Sequence, residues 1–113
     1  MESLKIKTDS ALEAFGALSN EHRLAIFRLL VVAGPDGLAA GEIADELSIP
    51  ASSLSFHLAH LTRADLIAQR RQSRSLIYSA NFATMNGLLA FITENCCGGA
   101  SCAASSPKKR KAS

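Results

Sequence analysis

The sequence predicts a mainly α-helical fold with a small β-hairpin, in the element order α-α-α-α-β-β-α. The central observation is a helical pattern in which Leu54, Leu58 and Leu61 recur at the spacing of one buried stripe. A shorter helical pattern, residues 41–47, comes just before it, and residues 48–50 separate the two. Two helices joined by such a short turn, the second with a polar outer face, form a helix-turn-helix.

Two short extended runs follow the helix pair. Residues 66–71 and 76–79 contain β-branched residues and arginines, and a polar segment joins them, so they predict a β-hairpin. A hairpin directly after a helix-turn-helix is called a wing, and the tip of this one carries Arg74. We expect the folded domain to span residues 8–95 and to be followed by a flexible Cys- and Lys-rich tail, residues 96–113.

Further helical patterns lie at both ends of this region. Residues 8–18 and 82–94 are amphipathic but find little to pack on inside one small domain. Between them and the helix pair, a helix with a core stripe is expected after Asn20, which is a favourable N-cap residue. We expect the two terminal helices to meet their copies in a homodimer. The predicted interface residues are Leu12, Phe15, Phe82, Met85, Leu88, Leu89 and Ile92.

Length and composition limit the class of protein. A chain of 113 residues fits one domain with a single modest core. Hydrophobic residues make up 48% of the chain and charged residues 19%, which is typical of a globular rather than a disordered protein. The longest apolar run, residues 29–33, is far too short to cross a bilayer, and the N-terminus lacks a signal-peptide pattern. The sequence therefore predicts a cytoplasmic protein with no membrane partner.

Basic charge is concentrated beside the helix-turn-helix. Between positions 63 and 74, four arginines face only one carboxylate, Asp65, and no acidic side chain lies on the helix that carries the leucine stripe. Both features favour a polyanion such as double-stranded DNA as the partner. The candidate base-reading residues are Ser52, Ser53, Ser55, Phe56, His57 and His60, and the candidate phosphate or minor-groove contacts are Arg70, Arg71 and Arg74.

Several separated motifs resemble the ArsR/SmtB family of winged-helix repressors. Residues 18–30 (LSNEHRLAIFRLL) are similar to the family's second-helix signature, residues 54–67 to its recognition helix and the exit from it, and residues 70–78 to its wing. The resemblance covers roughly residues 10–92. It implies a homodimer that binds a pseudo-palindromic operator and leaves it when a metal or metalloid binds.

The sequence departs from two ligand arrangements of that family. The helix before the recognition helix often carries a Cys-x-Cys pair in the family, but residues 39–43 contain no cysteine. Zinc-sensing members carry Asp and His ligands on the last helix, but residues 81–95 contain neither. We therefore do not expect a zinc sensor of the last-helix type, and any sensing site must use this chain's own cysteines.

The three cysteines, Cys96, Cys97 and Cys102, lie within seven residues of one another. Structural disulfides are rare in a reducing cytoplasm, so metal binding or redox chemistry is expected. Three soft thiolates suit arsenic(III), which is trigonal with sulfur, and antimony(III) is a second candidate. Structural zinc usually takes four ligands. The sequence thus predicts a metalloid site whose occupation releases the operator, with no cofactor required for folding.

Other functions remain open at this point. The same cysteines suit a thiol-based redox-sensing repressor, in which oxidation replaces metalloid binding, and they could also lie in a tail with no role. A metalloid-sequestering chaperone would leave the winged helix without a purpose. We expect His57 and His60 to contact DNA rather than to bind a metal ion. An enzyme is not expected, because serines and histidines on one short exposed helix supply no pocket or oxyanion hole.

Overall fold

The computed structural model describes residues 6–99 of the chain. The elements in chain order are α1 (Thr8–Leu18), α2 (Glu21–Ala33), a 3₁₀ turn (Gly34–Asp36), β1 (Leu38–Ala39), α3 (Ala40–Leu47), α4 (Ala51–Arg63), β2 (Ile67–Gln72), β3 (Ser75–Ala80), α5 (Phe82–Thr93) and a second 3₁₀ turn (Cys96–Gly99). The predicted order of four helices, a hairpin and a fifth helix is confirmed. Within residues 6–99, no helix is long and apolar enough to span a membrane.

One strand was not anticipated from the sequence. β1 pairs antiparallel with β3, with Leu38 opposite Tyr78, so the sheet order is β1-β3-β2. A strand of two residues is too short to show an alternating pattern, which is why periodicity could not reveal it. The chain enters β1 through Gly37, where φ is 69° and an added Cβ would collide with the carbonyl oxygen of Tyr78. Only glycine fits this approach.

The turn between α3 and α4 sets the angle of the helix pair. Ser48 adopts the left-handed conformation after α3, and the N–H of Ile49 donates to the carbonyl of Ala44 at 3.1 Å. The Ile49 side chain is buried and ties the turn to the core. Pro50 then precedes the first residue of α4 with φ of −60°, a value that its ring imposes. The helix-turn-helix is therefore held by local backbone geometry and one buried side chain.

The leucine stripe of α4 lies at the centre of the core. Leu54, Leu58 and Leu61 are all buried, as predicted. Burying such a side chain stabilises a fold by about 1.5–3 kcal/mol. The stripe packs in one cluster with Ile26, Phe27 and Leu30 of α2, Ile43 of α3, Leu66 and Ile67 at the start of the wing, and Ala11, Ala14 and Ala17 of α1. α1, α2 and α3 thus all pack on α4, and α5 contributes Leu88 to the same core cluster.

The two terminal helices bury only part of their apolar surface. Leu12 of α1 is 63% exposed, and Leu89 and Ile92 of α5 are 56% and 62% exposed. Leu88, in contrast, is 5% exposed inside its own subunit, so it serves the core rather than the surface expected of an interface residue. The three remaining predicted interface residues, Phe15, Phe82 and Met85, are half-buried against the same core. A helix that is apolar on both faces, as α5 is, is normally covered on both.

Candidate nucleic-acid interface

The outer face of α4 lies opposite its leucine stripe. Ser52, Phe56, Ala59 and Arg63 recur at i, i+4, i+7 and i+11, and all four are exposed. Ser53 and Ser55, on either side of this outer face, are exposed as well. Ala59 and Arg63 were not among the predicted contacts. Continuing the spacing from Ser52 and Phe56 toward the end of the helix would have found them.

The N-terminal end of α4 is open to an anion. No side chain caps it, and no acidic residue lies in its first turn. The first N–H groups of a helix have no partner within the helix, and the helix dipole places partial positive charge at that end. The start of α4 can therefore receive a phosphate, with the hydroxyls of Ser52 and Ser53 beside it.

The two histidines of α4 lie on its flank, toward α1 and α2. Both are half-buried. Nδ1 of His57 is 3.5 Å from Nη1 of Arg23, and the ring centroid of His57 is 5.5 Å from that of His22. Since a guanidinium only donates hydrogen bonds, Nδ1 of His57 is the acceptor and the ring proton sits on Nε2. The histidines thus border the outer face of α4 rather than form its centre.

Arg23 joins three helices. Its backbone N–H donates to Oδ1 of Asn20 at 3.0 Å, which confirms Asn20 as the N-cap of α2. Its Nε donates to the carbonyl of Ala17, near the end of α1, at 2.7 Å, and its Nη1 donates to His57 of α4. The last carbonyls of a helix have no partner within it, so the guanidinium satisfies one of them while holding α4 in place. No short-range pattern in the sequence indicates this role.

Both histidines of α4 are held in the neutral form. Partial burial lowers the pKa of His57 below its ordinary value of 6.5, and the positive charges of Arg23, His22 and His60 lower it further. Partial burial also lowers the pKa of His60, helped by Arg23 and Arg63 and opposed by the carboxylate of Glu13. Protonation of either ring would add a positive charge beside Arg23.

The wing arginines fall into two groups. Arg70 donates from Nη2 to the carbonyl of Asp36 at 3.0 Å and from Nη1 to that of Pro35 at 3.3 Å, so it braces the wing against the turn after α2. It also reaches Oε1 of Gln72. Arg71 lies on the opposite side of β2, because side chains alternate along a strand. In the part of the chain that the structure describes, Arg71 and Arg74 have no hydrogen-bond or ion-pair partner.

One cleft lies between α4, α3 and the sheet that contains the wing. Its volume is about 540 Å³, with Ser55, Ala59 and Arg63 on the helix side and Gln69 and Tyr78 on the sheet side. The hairpin closes beyond the cleft in a two-residue loop, Ser73 and Arg74, since Gln72 pairs with Ser75. One flank of α4 and the sheet therefore bound a single recess, with the basic side chain of Arg63 in its lining.

The cysteines follow α5 directly. Cys96 is a half-buried free thiol, and its Sγ lies 3.7 Å from Sγ of Cys97. Cys97 is exposed and is disulfide-bonded. Cys102 and the lysine-rich end of the tail lie outside the described residues. Among residues 6–99, no three His, Cys, Asp or Glu side chains gather as a metal-binding group. The described part of the chain thus brings together two of the three predicted ligands.

Comparison with known proteins agrees with this architecture. Residues 18–70 match a family model described as a helix-turn-helix domain. The chain is 41% identical over 63 residues to the uncharacterized HTH-type transcriptional regulator YceK of Bacillus subtilis, which covers 56% of this chain and 62% of that protein. The chain therefore spans less than two thirds of that relative's length.

Solved structures extend the similarity to the wing. Reduced HlyU from Vibrio cholerae is 30% identical, with a TM-score of 0.58, over 75% of this chain and 90% of that one. An ArsR-like transcriptional regulator from Rhodococcus sp. RHA1 is 25% identical, with a TM-score of 0.69, over 80% and 82%. The homodimeric winged helix-turn-helix domain Mb0332 of Mycobacterium bovis shares the fold at 23% identity, with a TM-score of 0.61, over 81% and 85%.

Over residues 18–70 the chain is similar to helix-turn-helix domains, and its fold is that of ArsR-like winged-helix regulators. YceK and the Rhodococcus protein are both named as transcriptional regulators.

The lowered histidine pKa values predict how stability depends on pH. Because the unfolded histidines have pKa values of about 6.5, the unfolded chain binds more protons than the folded one just below that pH. The histidine contribution to the free energy of unfolding should be complete above pH 6.5 and be lost as the pH falls through the lowered folded values. Urea unfolding at successive pH values measures it. In His57→Gln the loss should be smaller; an identical pH profile would contradict this account.

Proposed function

We propose that this chain is a cytoplasmic homodimeric repressor that binds operator DNA and leaves it when its C-terminal thiols react. The observation that carries the DNA part is the outer face of α4, where every exposed side chain from Ala51 to Arg63 is uncharged or basic. An acid-free helix face beside unpaired wing arginines suits a polyanion. An α-helix also has the width that the major groove of B-form DNA admits.

We assign different DNA contacts to α4 and to the wing. The serines and Phe56 on α4 face the base edges, where hydroxyls can donate or accept and apolar groups meet thymine methyls. Arg74 at the hairpin tip and Arg71 beside it reach the neighbouring phosphates or the minor groove. Arg70 supports the wing from behind, because its guanidinium is already held by carbonyl oxygens.

This division of the arginines can be tested with salt. Arg74→Ala should weaken binding to all duplexes and lower the salt slope by about 1 per subunit, the value for one lost phosphate contact. Arg70→Ala is the matched control, since it removes the same charge from an internal brace and should change the salt slope less. Fluorescence anisotropy at several salt concentrations gives both slopes. Equal slopes for the two variants would refute the division.

The homodimer follows from apolar surface that one chain leaves uncovered. Leu89 and Ile92 lie one turn apart on the outer side of α5, while Leu88 fills the core on the inner side. A second copy of α5 would cover the outer side and leave the core packing unchanged. The similar domain Mb0332 is homodimeric, which supports the same arrangement for this chain. A dimer would also present two copies of α4 to the two halves of a palindromic site.

Charged residues on the outer side of α5 should therefore separate the subunits. We expect the double variant Leu89→Glu, Ile92→Glu to sediment as a monomer and to lose most of its operator affinity, because one half-site supplies only part of the contact. Val32→Glu introduces the same charge at an exposed valine of α2 and should remain dimeric. Sedimentation velocity at micromolar concentration measures both. A monomeric unaltered protein would contradict the proposal.

The proposed inducer is arsenic(III), with antimony(III) as the second candidate. Reduction of the Cys97 disulfide would leave two thiols whose Sγ atoms lie 3.7 Å apart, close enough for both to bind one thiophilic ion. Arsenous acid exchanges its three hydroxyl groups for three thiol sulfurs and releases three waters. Cys102 is the proposed third ligand. The reaction would occur just after the end of α5, the helix that we propose forms the dimer interface.

A redox switch is the second candidate, and two observations favour it. Cys97 is disulfide-bonded, and one similar structure is of HlyU in its reduced form. In this function two thiols pass two protons and two electrons to an oxidant such as a peroxide and form a disulfide. The metalloid and the oxidant would act on the same cysteines after the end of α5. The two functions therefore share the DNA-binding domain and differ only in the reagent that the cysteines bind or react with.

Titration with the two reagents separates these functions. Protein reduced with a phosphine and bound to operator should lose about 5- to 150-fold in affinity on adding arsenite, the range of typical allosteric coupling. Replacing Cys96, Cys97 and Cys102 by serine should leave DNA binding intact and abolish the response. Ser101→Ala is a control substitution in the same segment.

Release by peroxide but not by arsenite would replace the metalloid function with the redox one. Release of the triple serine variant by arsenite would place the sensor elsewhere in the chain. Gel-shift titrations on one operator duplex give all these results.

A further inference from the structure

Phe56 is a large apolar side chain on the face of α4 that carries the candidate DNA contacts. It is 72% exposed and lies on the outer face between Ser52 and Ala59. It has no place in the hydrophobic core that the leucines on the other side of α4 form. Ala59, three residues further on, extends its apolar surface by one small group. The other side chains on this face are small or polar, so we expect the exposed phenyl ring at its centre to contact an apolar group of a partner.

The ring is held against a fixed neighbour. Phe56 meets His57 edge-on, with ring centroids 6.3 Å apart and planes inclined by 66°, an arrangement that aromatic rings favour. His57 accepts from Arg23 at 3.5 Å, and Arg23 donates to the carbonyl of Ala17 at 2.7 Å. Phe56 therefore lies next to a ring that contacts α1 and α2 through Arg23. Such support orients a recognition residue before its partner arrives.

We infer that Phe56 is a specificity-determining residue that contacts the 5-methyl group of a thymine in the operator major groove. The inference rests on the proposed DNA-binding function. Among the four bases, only thymine presents an apolar group in the major groove. Cytosine presents an amino group there. A phenyl ring would displace the water that is hydrogen-bonded to this amino group and could not replace the hydrogen bond. Phe56 thus favours thymine by contact and disfavours cytosine by desolvation.

The charges around Phe56 favour DNA over a protein as its partner. Arg63 lies on the same exposed face of α4, and the wing that follows α4 carries the exposed arginines Arg71 and Arg74. The exposed apolar residues proposed for the dimer, Leu12, Leu89 and Ile92, are on α1 and α5 instead. A basic surround with one apolar centre matches the phosphate rims and the methyl group of a major-groove site.

The test removes single methyl groups from DNA. In vitro selection with the full-length protein on random duplexes supplies a high-affinity duplex, and each thymine is then replaced by deoxyuridine, which lacks only the 5-methyl group. At one thymine in each half-site the affinity should fall about fourfold, and about 15-fold when both are replaced, as expected for one buried methyl per half-site. 5-Methylcytosine at that position should bind more tightly than cytosine.

Variants of the protein assign the contact. Phe56→Ala should bind the thymine and deoxyuridine duplexes equally, and Phe56→Leu should retain part of the preference. Ser52→Ala is the matched control on the same face: it can change affinity, but the ratio between the two duplexes should stay the same. Thermal unfolding of Phe56→Ala should match that of the unaltered protein, because the side chain lies outside the core.

The outcomes separate this inference from the proposed function. Equal affinity for thymine and deoxyuridine at every position would overturn the role of Phe56 while sequence-specific DNA binding stands. A preference that persists in Phe56→Ala would also overturn it, since another residue would then contact the methyl group. Failure of the full-length protein to enrich any duplex would contradict the DNA-binding function itself.

Discussion

Burial of the leucine stripe of α4 is the constraint on which the rest of the structure depends. Leu54, Leu58 and Leu61 are enclosed by residues from α1, α2, α3 and the first residues of the wing. A helix is stiff, so enclosing one stripe directs the opposite stripe outward. The same packing therefore forms the core and presents the serines and Phe56 to a partner. Losing one of these leucines would disturb both, because the cavity left behind would loosen the element that carries the contacts.

A second constraint connects α1 to α4. Arg23 binds the end of α1 and the flank of α4 with one guanidinium. In the proposed dimer, α1 would lie at or near the subunit interface, so a change in its position would reach α4 through this side chain. The neutral state of His57 belongs to the same arrangement, since a protonated ring could not accept from Arg23. Arg23 thus links the position of α1 to that of α4, the helix that carries the proposed DNA contacts.

The proposed sensing cysteines lie just after α5, close to the residues of α5 that we propose form the dimer interface. The inner side of this helix holds Leu88 in the core, the outer side exposes Leu89 and Ile92, and Cys96 follows within one turn of the last helical residue. A reaction that tightens residues 96–99 would act on a helix that packs loosely on its own chain. In the proposed switch, a reaction of the thiols would shift the two subunits relative to each other without unfolding the core that supports α4.

Local pattern alone determined the order of the helices, the hairpin, the stripe of α4, the cap at Asn20 and the clustering of the cysteines, because each depends on residues close in the chain. Tertiary structure decided the rest. It placed Arg70 against the carbonyl of Asp36 and His57 beside Arg23, and both contacts join residues 34 positions apart. It also turned Leu88 inward while its neighbour Leu89 stayed exposed. The type of a residue shows which groups its side chain can contact. The direction in which the side chain points depends on the distant helices and strands that pack around it, and a short-range sequence pattern carries no information about them.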